Sequence, residues 1–483
     1  MITTLVKQVC NNNNWRSVVK KTPLQLGITS SNQFNNNMFF KREDLQNTFS
    51  FKLRGAYNKI RKLYKNNRNV KIVTCSAGNH AQGVAYSCDI FNIDSKIVMP
   101  TITPSIQIEQ VKRYGGEVIL HGDNYDEASS KAIELSEKEN RELIHPYDDV
   151  DIITGAATIG KEIIEELKDI DYVFVPVGGG GLISGVGLYI KLINPNIKII
   201  GVESNKSCSM NVSLKKREIT ELSMVDTFAD GTAVKKVGEI TFNICKKFVD
   251  EMVTVTNDEI CTSIKQLYLD TRNIAEPSGV LSLAGSIKYI NKNKIKNKNI
   301  INIISGANMD FKRLRYITER SENEVLLNIT IPEKTGSFKK LYNSIFPINV
   351  TEFRYRYTNN KEASVYISLG NKNNIVDKLS KKYEVINLSE DELAKEHTKY
   401  LIGYTGELPC EKIYRFLFPE RPGELGQFLN KISYQWNITL FHYRNSGGIE
   451  GDVLVGIQVS DNDLNDFNTF LNSINYKYCE EKL

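Results

Sequence analysis

Six short apolar runs punctuate the first 320 positions. They are KIVTC (71–75), SKIVMP (95–100), GEVILHG (116–122), DYVFVPV (171–177), IKIIGVE (197–203) and NIINIIS (299–305). The runs are rich in Val and Ile and mostly end on Gly, Pro or Ser, which suits strands buried on both faces. Amphipathic stretches separate them, among them Pro104–Tyr114, Tyr125–Lys138 and Gly160–Leu167. Strand and helix in alternation predict right-handed crossovers and an α/β fold: a doubly wound, mostly parallel sheet covered on both faces. Ligands of such sheets bind beyond the carboxyl ends of the strands. Functional residues are therefore expected just after the apolar runs.

The pattern changes at about residue 321. IPEKTGSFKKLYNSI (331–345) leads into VTEFRYR (350–356), and FPERPGELGQFLNKI (418–432) leads into ITLFHYR (438–444). Pro-Glu-x-x-Gly recurs from Pro332 to Pro419, and the following aromatic-Arg strand recurs one position out of step. Further apolar strands follow at 363–370 and 452–460, and a helix closes each copy. This predicts two ferredoxin-like βαββαβ units. The expected organisation is a domain over 1–320, modules over 321–398 and 411–483, and a linker between them at 399–410.

Composition removes several classes of function. Lys and Arg number 62 against 57 Asp and Glu, and the resulting +5 is scattered, so nothing favours nucleic acid or a membrane surface. At 41% hydrophobic and 25% charged residues the chain matches ordinary globular proteins. No apolar run is long enough for a membrane span and the N-terminal stretch has no signal core, so a cytoplasmic protein is expected. Eight cysteines without a C-x-x-C pair and five dispersed histidines suggest reduced thiols and no metal.

Three segments carry candidate chemistry. Gly178-Gly179-Gly180-Gly181 joins a strand to the apolar helix starting at Leu182. Several N–H groups can converge there on a phosphate at a helix N-terminus, and a tight, closely packed turn is the alternative. No Gly-Lys-Ser/Thr closes the run and G-x-G-x-x-G does not fit, so neither a Walker loop nor a dinucleotide site is read. Ser76-Ala77-Gly78-Asn79-His80 follows the run at 71–75 and suits either an anion site or a plain helix cap. Lys52, between Phe51 and Leu53, is either a solvated charge or, if buried, a Schiff-base nucleophile.

Together these segments resemble the pyridoxal-phosphate enzymes of the tryptophan-synthase-β fold type, and within them the threonine ammonia-lyase (threonine deaminase) family of the biosynthetic kind. The resemblance rests on KREDLQNTFSFKLRGAY (41–57), TCSAGNHAQGVA (74–85), VMPTITPSI (98–106), VPVGGGGL (175–182), EPSG (276–279) and SGANMDFKRLRY (305–316). The doubled tail, with IPEKTGSF (331–338) and WNITLFHYR (436–444), is similar to the paired ACT-like regulatory modules of the isoleucine-pathway enzyme.

The resemblance implies that Lys52 binds the aldehyde of pyridoxal 5'-phosphate. It implies that Asn79 meets the ring oxygen, that Gly178 to Leu182 cradle the phosphate, and that Ser305 faces the ring nitrogen. Ser76, Ala77, Gly78, Asn79 and His80 would take the substrate carboxylate, with Asp230 near the threonine hydroxyl. A neutral serine at the ring nitrogen favours loss of a β-leaving group over transamination. The implied reaction converts L-threonine to 2-oxobutanoate and ammonia, with Lys52 removing the Cα proton.

The resemblance further implies inhibition by isoleucine opposed by valine, and a homotetramer. The candidate effector contacts are Phe353, Arg354 and Tyr355 in one copy and Phe441, His442 and Tyr443 in the other, although these aromatics equally suit packing of the sheet. Departures from the family pattern fall at Ala156 and Ala157 in Gly155-Ala156-Ala157-Thr158, where the family has Gly-Gln-Gly-Thr and which is read as a loop near the site mouth, at Asp230 in place of Glu, and at Lys312-Arg313 in place of His-Gly. Serine dehydration, serine racemisation and cysteine synthesis are the rival chemistries on this scaffold. A catalytically silent amino-acid sensor is the rival of another class.

Overall fold

The computed structural model describes residues 3–4, 6–7, 15–321, 324–332, 337–345, 348, 350–357, 361–370, 374–389, 410–419, 428, 431–432, 436–443, 450–474 and 476–481. The chain divides into a unit over Met1–Ser321 and a second over Glu322–Leu483.

The first unit holds ten strands: β1 (Leu24–Leu26), β2 (Asn37–Arg42), β3 (Ile72–Cys75), β4 (Ser95–Met99), β5 (Glu117–Leu120), β6 (Glu142–Leu143), β7 (Tyr172–Pro176), β8 (Lys198–Ser204), β9 (Glu251–Val255) and β10 (Asn299–Ile304). All six apolar runs are strands, but they belong to two sheets and not to one. A six-stranded sheet runs β1-β2-β10-β7-β8-β9 and a four-stranded sheet runs β5-β4-β3-β6. Every pairing is parallel except β1 with β2. Side chains of β10 alternate between faces, as a pleated strand requires. Ile300 and Ile304 join one buried cluster with Phe174 and Leu281, while Ile301 and Ile303 join another with Val175 and Val186. Both faces are therefore covered, which is why the runs read as continuously apolar.

Four strands carried no clear signal in the sequence, of which β1 and β6 are only three and two residues long. In β2 the residues Lys41 and Arg42 are charged yet buried, and β9 is short and opens on a glutamate. The Lys41 ammonium lies 2.6 Å from Glu162, and the Arg54 guanidinium lies 2.7 Å from Glu43 and 2.8 Å from Glu162. Two cations and two carboxylates thus neutralise each other in the interior, which is how the fold tolerates them. Burial pushes the Glu162 carboxyl up, and Arg54 and Lys41 more than reverse it, leaving it below its usual range.

The segment Gly155–Thr158 requires a correction. It is not a loop, because one helix runs from Val150 to Glu166, its first turn capped by the Asp149 carboxylate accepting from the Asp151 and Ile152 N–H groups. The small residues have a packing role inside this helix. A Cβ on Gly155 would come within 2.5 Å of the Arg54 carbonyl oxygen, and one on Gly185 within 2.4 Å of the Ile153 oxygen. Close approach there sets the spacing between the Lys52–Asn66, Val150–Glu166 and Gly181–Ile193 helices.

The second unit holds β11 (Glu324–Pro332), β12 (Val350–Tyr357), β13 (Glu362–Gly370) and β14 (Glu384–Asn387), then β15 (Glu411–Pro419), β16 (Asn437–Tyr443), β17 (Glu450–Gln458) and β18 (Lys477–Glu481). The strand orders are β12-β13-β11-β14 and β16-β17-β15-β18, all antiparallel. Each is the ferredoxin-like order, and the duplication extends to an irregularity. The register slips between Val350 and Glu352 in β12 and between Ile438 and Leu440 in β16, the same point in each copy. Aliphatic side chains fill the first core, including Ile329, Leu341 and Ile367, while Phe416, Phe428, Trp436 and Phe467 fill the second. The helix expected early in the second copy lies largely outside the described residues, as does nearly all of the 399–410 segment.

Candidate active site

Lys52 opens its helix directly after Phe51, whose N–H donates to the Ser305 carbonyl oxygen at 3.0 Å. The helix Asn79–Ile90 crosses close by, because Gly83 lacks the Cβ that would press on the Lys52 backbone at 3.2 Å. One glycine contact thus brings the lysine beside the Ser76–His80 loop. The Lys52 ammonium donates to the Pro146 carbonyl oxygen at 2.9 Å. Burial pulls this amine down to about 8, against the opposing field of the Glu276 carboxylate. Its place at the positive end of a helix works in the same direction as burial.

Asn79 sits at the centre of a polar chain. Its Nδ2 donates to Glu276 Oε1 at 2.7 Å, and its Oδ1 accepts from Asn308 Nδ2 at 2.6 Å. Asn308 also donates to the Thr48 carbonyl oxygen at 2.8 Å, so the amide is held by both ends. Ser76, Ala77, Gly78 and Asn79 are part-exposed, and a Cβ on Gly78 would meet nothing within 4 Å, so open space lies over the loop. His80 differs from the rest of its motif. Its ring is buried with Nε2 against the Ile144 carbonyl oxygen at 3.2 Å, so only its backbone belongs to the loop's surface. Burial, then Lys52, push the ring down to about 3 and keep it neutral.

The glycine run reaches the same place. Gly178 abuts Thr232, where a Cβ would lie 2.9 Å from Cα, and the Thr232 hydroxyl is 3.3 Å from that of Ser278. Gly179 and Gly181 pack on Tyr147, and Gly180 takes φ +93° against Met210 and Thr241. Close packing therefore accounts for side-chain absence at all four positions. It does not account for the donors. Among the described hydrogen bonds, no protein acceptor takes the N–H groups of Gly178 through Leu182, which open the Gly181–Ile193 helix. Those free amides and the positive helix end suit a phosphate, and Lys52 suits an aldehyde, so the residues fit pyridoxal phosphate.

Ser305 ends β10. Its N–H donates to the Gly279 oxygen at 3.1 Å and its hydroxyl to the Ser278 oxygen at 3.4 Å. Lys52, Asn79, the glycine run and Ser305 are thus connected through Phe51, Glu276, Ser278 and Thr232. Asp230 opens the short turn Asp230–Thr232 on the cleft wall, with its carboxylate 3.4 Å from Arg313. Asp230 and Arg313, both singled out from the sequence, are therefore one ion pair.

Glu276 was not singled out from sequence. It is buried, and burial followed by the Asp230 charge pushes it up to about 8, with Asn79, Arg313 and Lys52 opposing. Its only sequence signal is its place in Glu276-Pro277-Ser278-Gly279, which follows none of the strands. The candidate effector residues occupy equivalent positions. Phe353, Arg354 and Tyr355 pair with Ile367, Tyr366 and Val365, and Phe441, His442 and Tyr443 pair with Val455, Leu454 and Val453. Both sets lie on edge strands, and their side chains fall outside the described residues. Among the described residues no group of His, Cys, Asp or Glu is arranged to hold a metal, and no helix is long and apolar enough to cross a membrane.

A strand-end cleft with a depressed lysine amine and a free amide cradle defines the class, and comparison with known proteins gives the same one. Residues 16–306 match the family of pyridoxal-phosphate dependent enzymes, and the chain belongs to it. Within that class it belongs to the threonine dehydratases. Residues 318–398 and 406–482 match the C-terminal regulatory domain of threonine dehydratase. The chain is 45% identical to the mitochondrial threonine dehydratase of Schizosaccharomyces pombe, over 97% of this chain and 80% of that protein. It is 44% identical to the biosynthetic L-threonine dehydratase of Pasteurella multocida, over 95% of this chain and 92% of that protein. Among solved structures, the processed form of threonine deaminase isoform 2 from Solanum lycopersicum is 48% identical, with a TM-score of 0.65 over 66% of this chain and 88% of that one.

Proposed function

We propose that this enzyme dehydrates and deaminates L-threonine to 2-oxobutanoate and ammonia, and that its doubled tail binds isoleucine as inhibitor and valine as antagonist. One observation carries the reading: a part-buried lysine amine and a run of free glycine amides share a cleft in a chain that also bears two ferredoxin-like modules.

Pyridoxal phosphate, when bound, supplies an electron sink for charge developing at the substrate Cα. The chain's own residues do the rest. Gly178 to Leu182 hold the phosphate with backbone donors. The amide of Asn79, fixed by Glu276 and Asn308, presents an oriented group to the ring. Ser305 offers the ring nitrogen a neutral hydroxyl. The loop from Ser76 to His80 receives the substrate carboxylate with backbone N–H groups beside the open space at Gly78.

Lys52 would hold the coenzyme through its aldehyde, and the same amine is the base placed to take the Cα proton. With its amine near 8, roughly a tenth is neutral at pH 7, several hundredfold more than an ordinary lysine would provide. A base of that strength suits proton abstraction at neutral pH. Asp230 stands at the cleft wall and borders the substrate's β-carbon side. A tetrameric enzyme of the cytoplasm completes the proposal; the buried free thiols of Cys75, Cys88, Cys245 and Cys261 support a reducing compartment and do not bear on the tetramer.

The test is an assay of 2-oxo acid formation from threonine and from serine, with and without isoleucine, on the intact protein and on a version ending at Ser321. The proposal requires faster turnover of threonine, inhibition by isoleucine in the intact protein, and loss of that inhibition with turnover kept in the shortened one. Inhibition that survives the truncation would remove the tail from regulation.

A further inference from the structure

Arg313 is 5% exposed and is the first residue of the Arg313–Arg320 helix. Neither fact favours a cation. Burial strips its water, and the first turn of a helix is the positive end of the dipole. Something else must hold the charge there, and partners on the 228–230 segment contribute. Its guanidinium donates to the Phe228 carbonyl oxygen at 3.1 Å and pairs with the Asp230 carboxylate at 3.4 Å. The same helix grips the same segment again through Tyr316, whose ring packs on Phe228 with centroids 5.2 Å apart. At its far end the helix is anchored elsewhere, where Arg320 pairs with Asp258 of the Asn257–Thr271 helix at 2.8 Å.

The gripped segment is a wall of the cleft. Thr232 packs under Gly178 and beside Ser278, and a Cβ on Gly231 would lie 3.8 Å from the Asn79 amide. Asp230 therefore adds a negative charge to a wall that already carries Glu276. The entering amino acid brings a further carboxylate.

We infer that Arg313 is a positioning residue that neutralises Asp230 and fixes the 228–232 turn, so that the cleft admits a substrate carboxylate it would otherwise repel. The inference rests on the amino-acid substrate proposed above. The raised titration of Glu276, which Asp230 drives up and Arg313 draws down, shows that both charges are felt inside the cleft. Arg313 touches neither coenzyme nor substrate in this account. It acts through the turn and through the charge it cancels.

The experiment uses the full-length holoenzyme with threonine as substrate. Failure of the functional reading shows first, as no oxo acid from the unaltered protein, and is separate from what the variants report. Arg313→Gln is expected to raise KM about tenfold while kcat stays within about threefold, with the visible coenzyme band unchanged. Adding Asp230→Asn to that variant removes the uncancelled charge and should lower KM again, by about threefold or more relative to Arg313→Gln. Arg313→Lys, which keeps the charge opposite Asp230 and serves if the first variant proves insoluble, should raise KM by less than about threefold.

An unchanged KM in Arg313→Gln would overturn the inference. So would a double variant as impaired as the single one. A KM raised about tenfold by Arg313→Lys would do the same, because cancelling the charge would then not be what Arg313 supplies.

Discussion

Lys52 and Glu276 pull on each other's protons. The carboxylate holds the amine in its charged form, while burial drives both groups toward neutrality, each to about 8. The charge of each group thus acts on the titration of the other. Only the neutral amine attacks an aldehyde, so uptake of pyridoxal phosphate by the apoenzyme should quicken as pH rises through about 8 and then level off. Glu276→Gln removes the charge that raises the lysine and should move this inflection below 8. Stopped-flow absorbance at a series of pH values measures both. An inflection above 10, or one moved upward by the substitution, would contradict the assignment of cause. Lys52 was legible as a candidate because apolar neighbours flank it, and burial alone turns candidacy into reactivity. Glu276 was not legible. Its burial arises from contacts with Asn79 and Gly306, residues remote in sequence, and no local pattern announces them.

Among the elements, the helix that presents Lys52 is held from behind by buried charge. Arg54, two residues further on, ties that helix to Glu43 after β2 and to Glu162 on the Val150–Glu166 helix. Arg54→Leu would leave buried Glu162 with Lys41 and buried Glu43 with the Thr22 hydroxyl but without its cation. Removing one partner from such a network costs about 3–5 kcal/mol, chiefly for the charge left uncompensated. Urea unfolding of the holoenzyme should show that loss, and a change below about 1 kcal/mol would mean the network is better hydrated than its burial indicates. Elements were readable where apolar residues were continuous, as in β3, β7, β8 and β10. The start of the Val150–Glu166 helix was missed, because Gly155-Ala156-Ala157 offers no apolar stripe of its own. Those small residues serve the contact between helices, which depends on a partner distant in the chain.

At the scale of the whole molecule, two sheets form the first unit and two ferredoxin-like sheets form the second, and the duplication repeats even the register slip of the second strand. The repeat was visible as Pro-Glu-x-x-Gly and its following strand. The division of the first unit into two sheets was not, because parallel strands with buried faces look alike whichever sheet receives them. What unites the molecule functionally is the seat of the coenzyme, where the strand ends, the Lys52 helix and the glycine run converge. Borohydride reduction of the holoenzyme followed by peptide mass mapping tests that seat most directly. The account predicts a single stable phosphopyridoxyl adduct on Lys52, absent from Lys52→Ala, which should also lose threonine turnover. An adduct on any other lysine, or full turnover by Lys52→Ala, would contradict it.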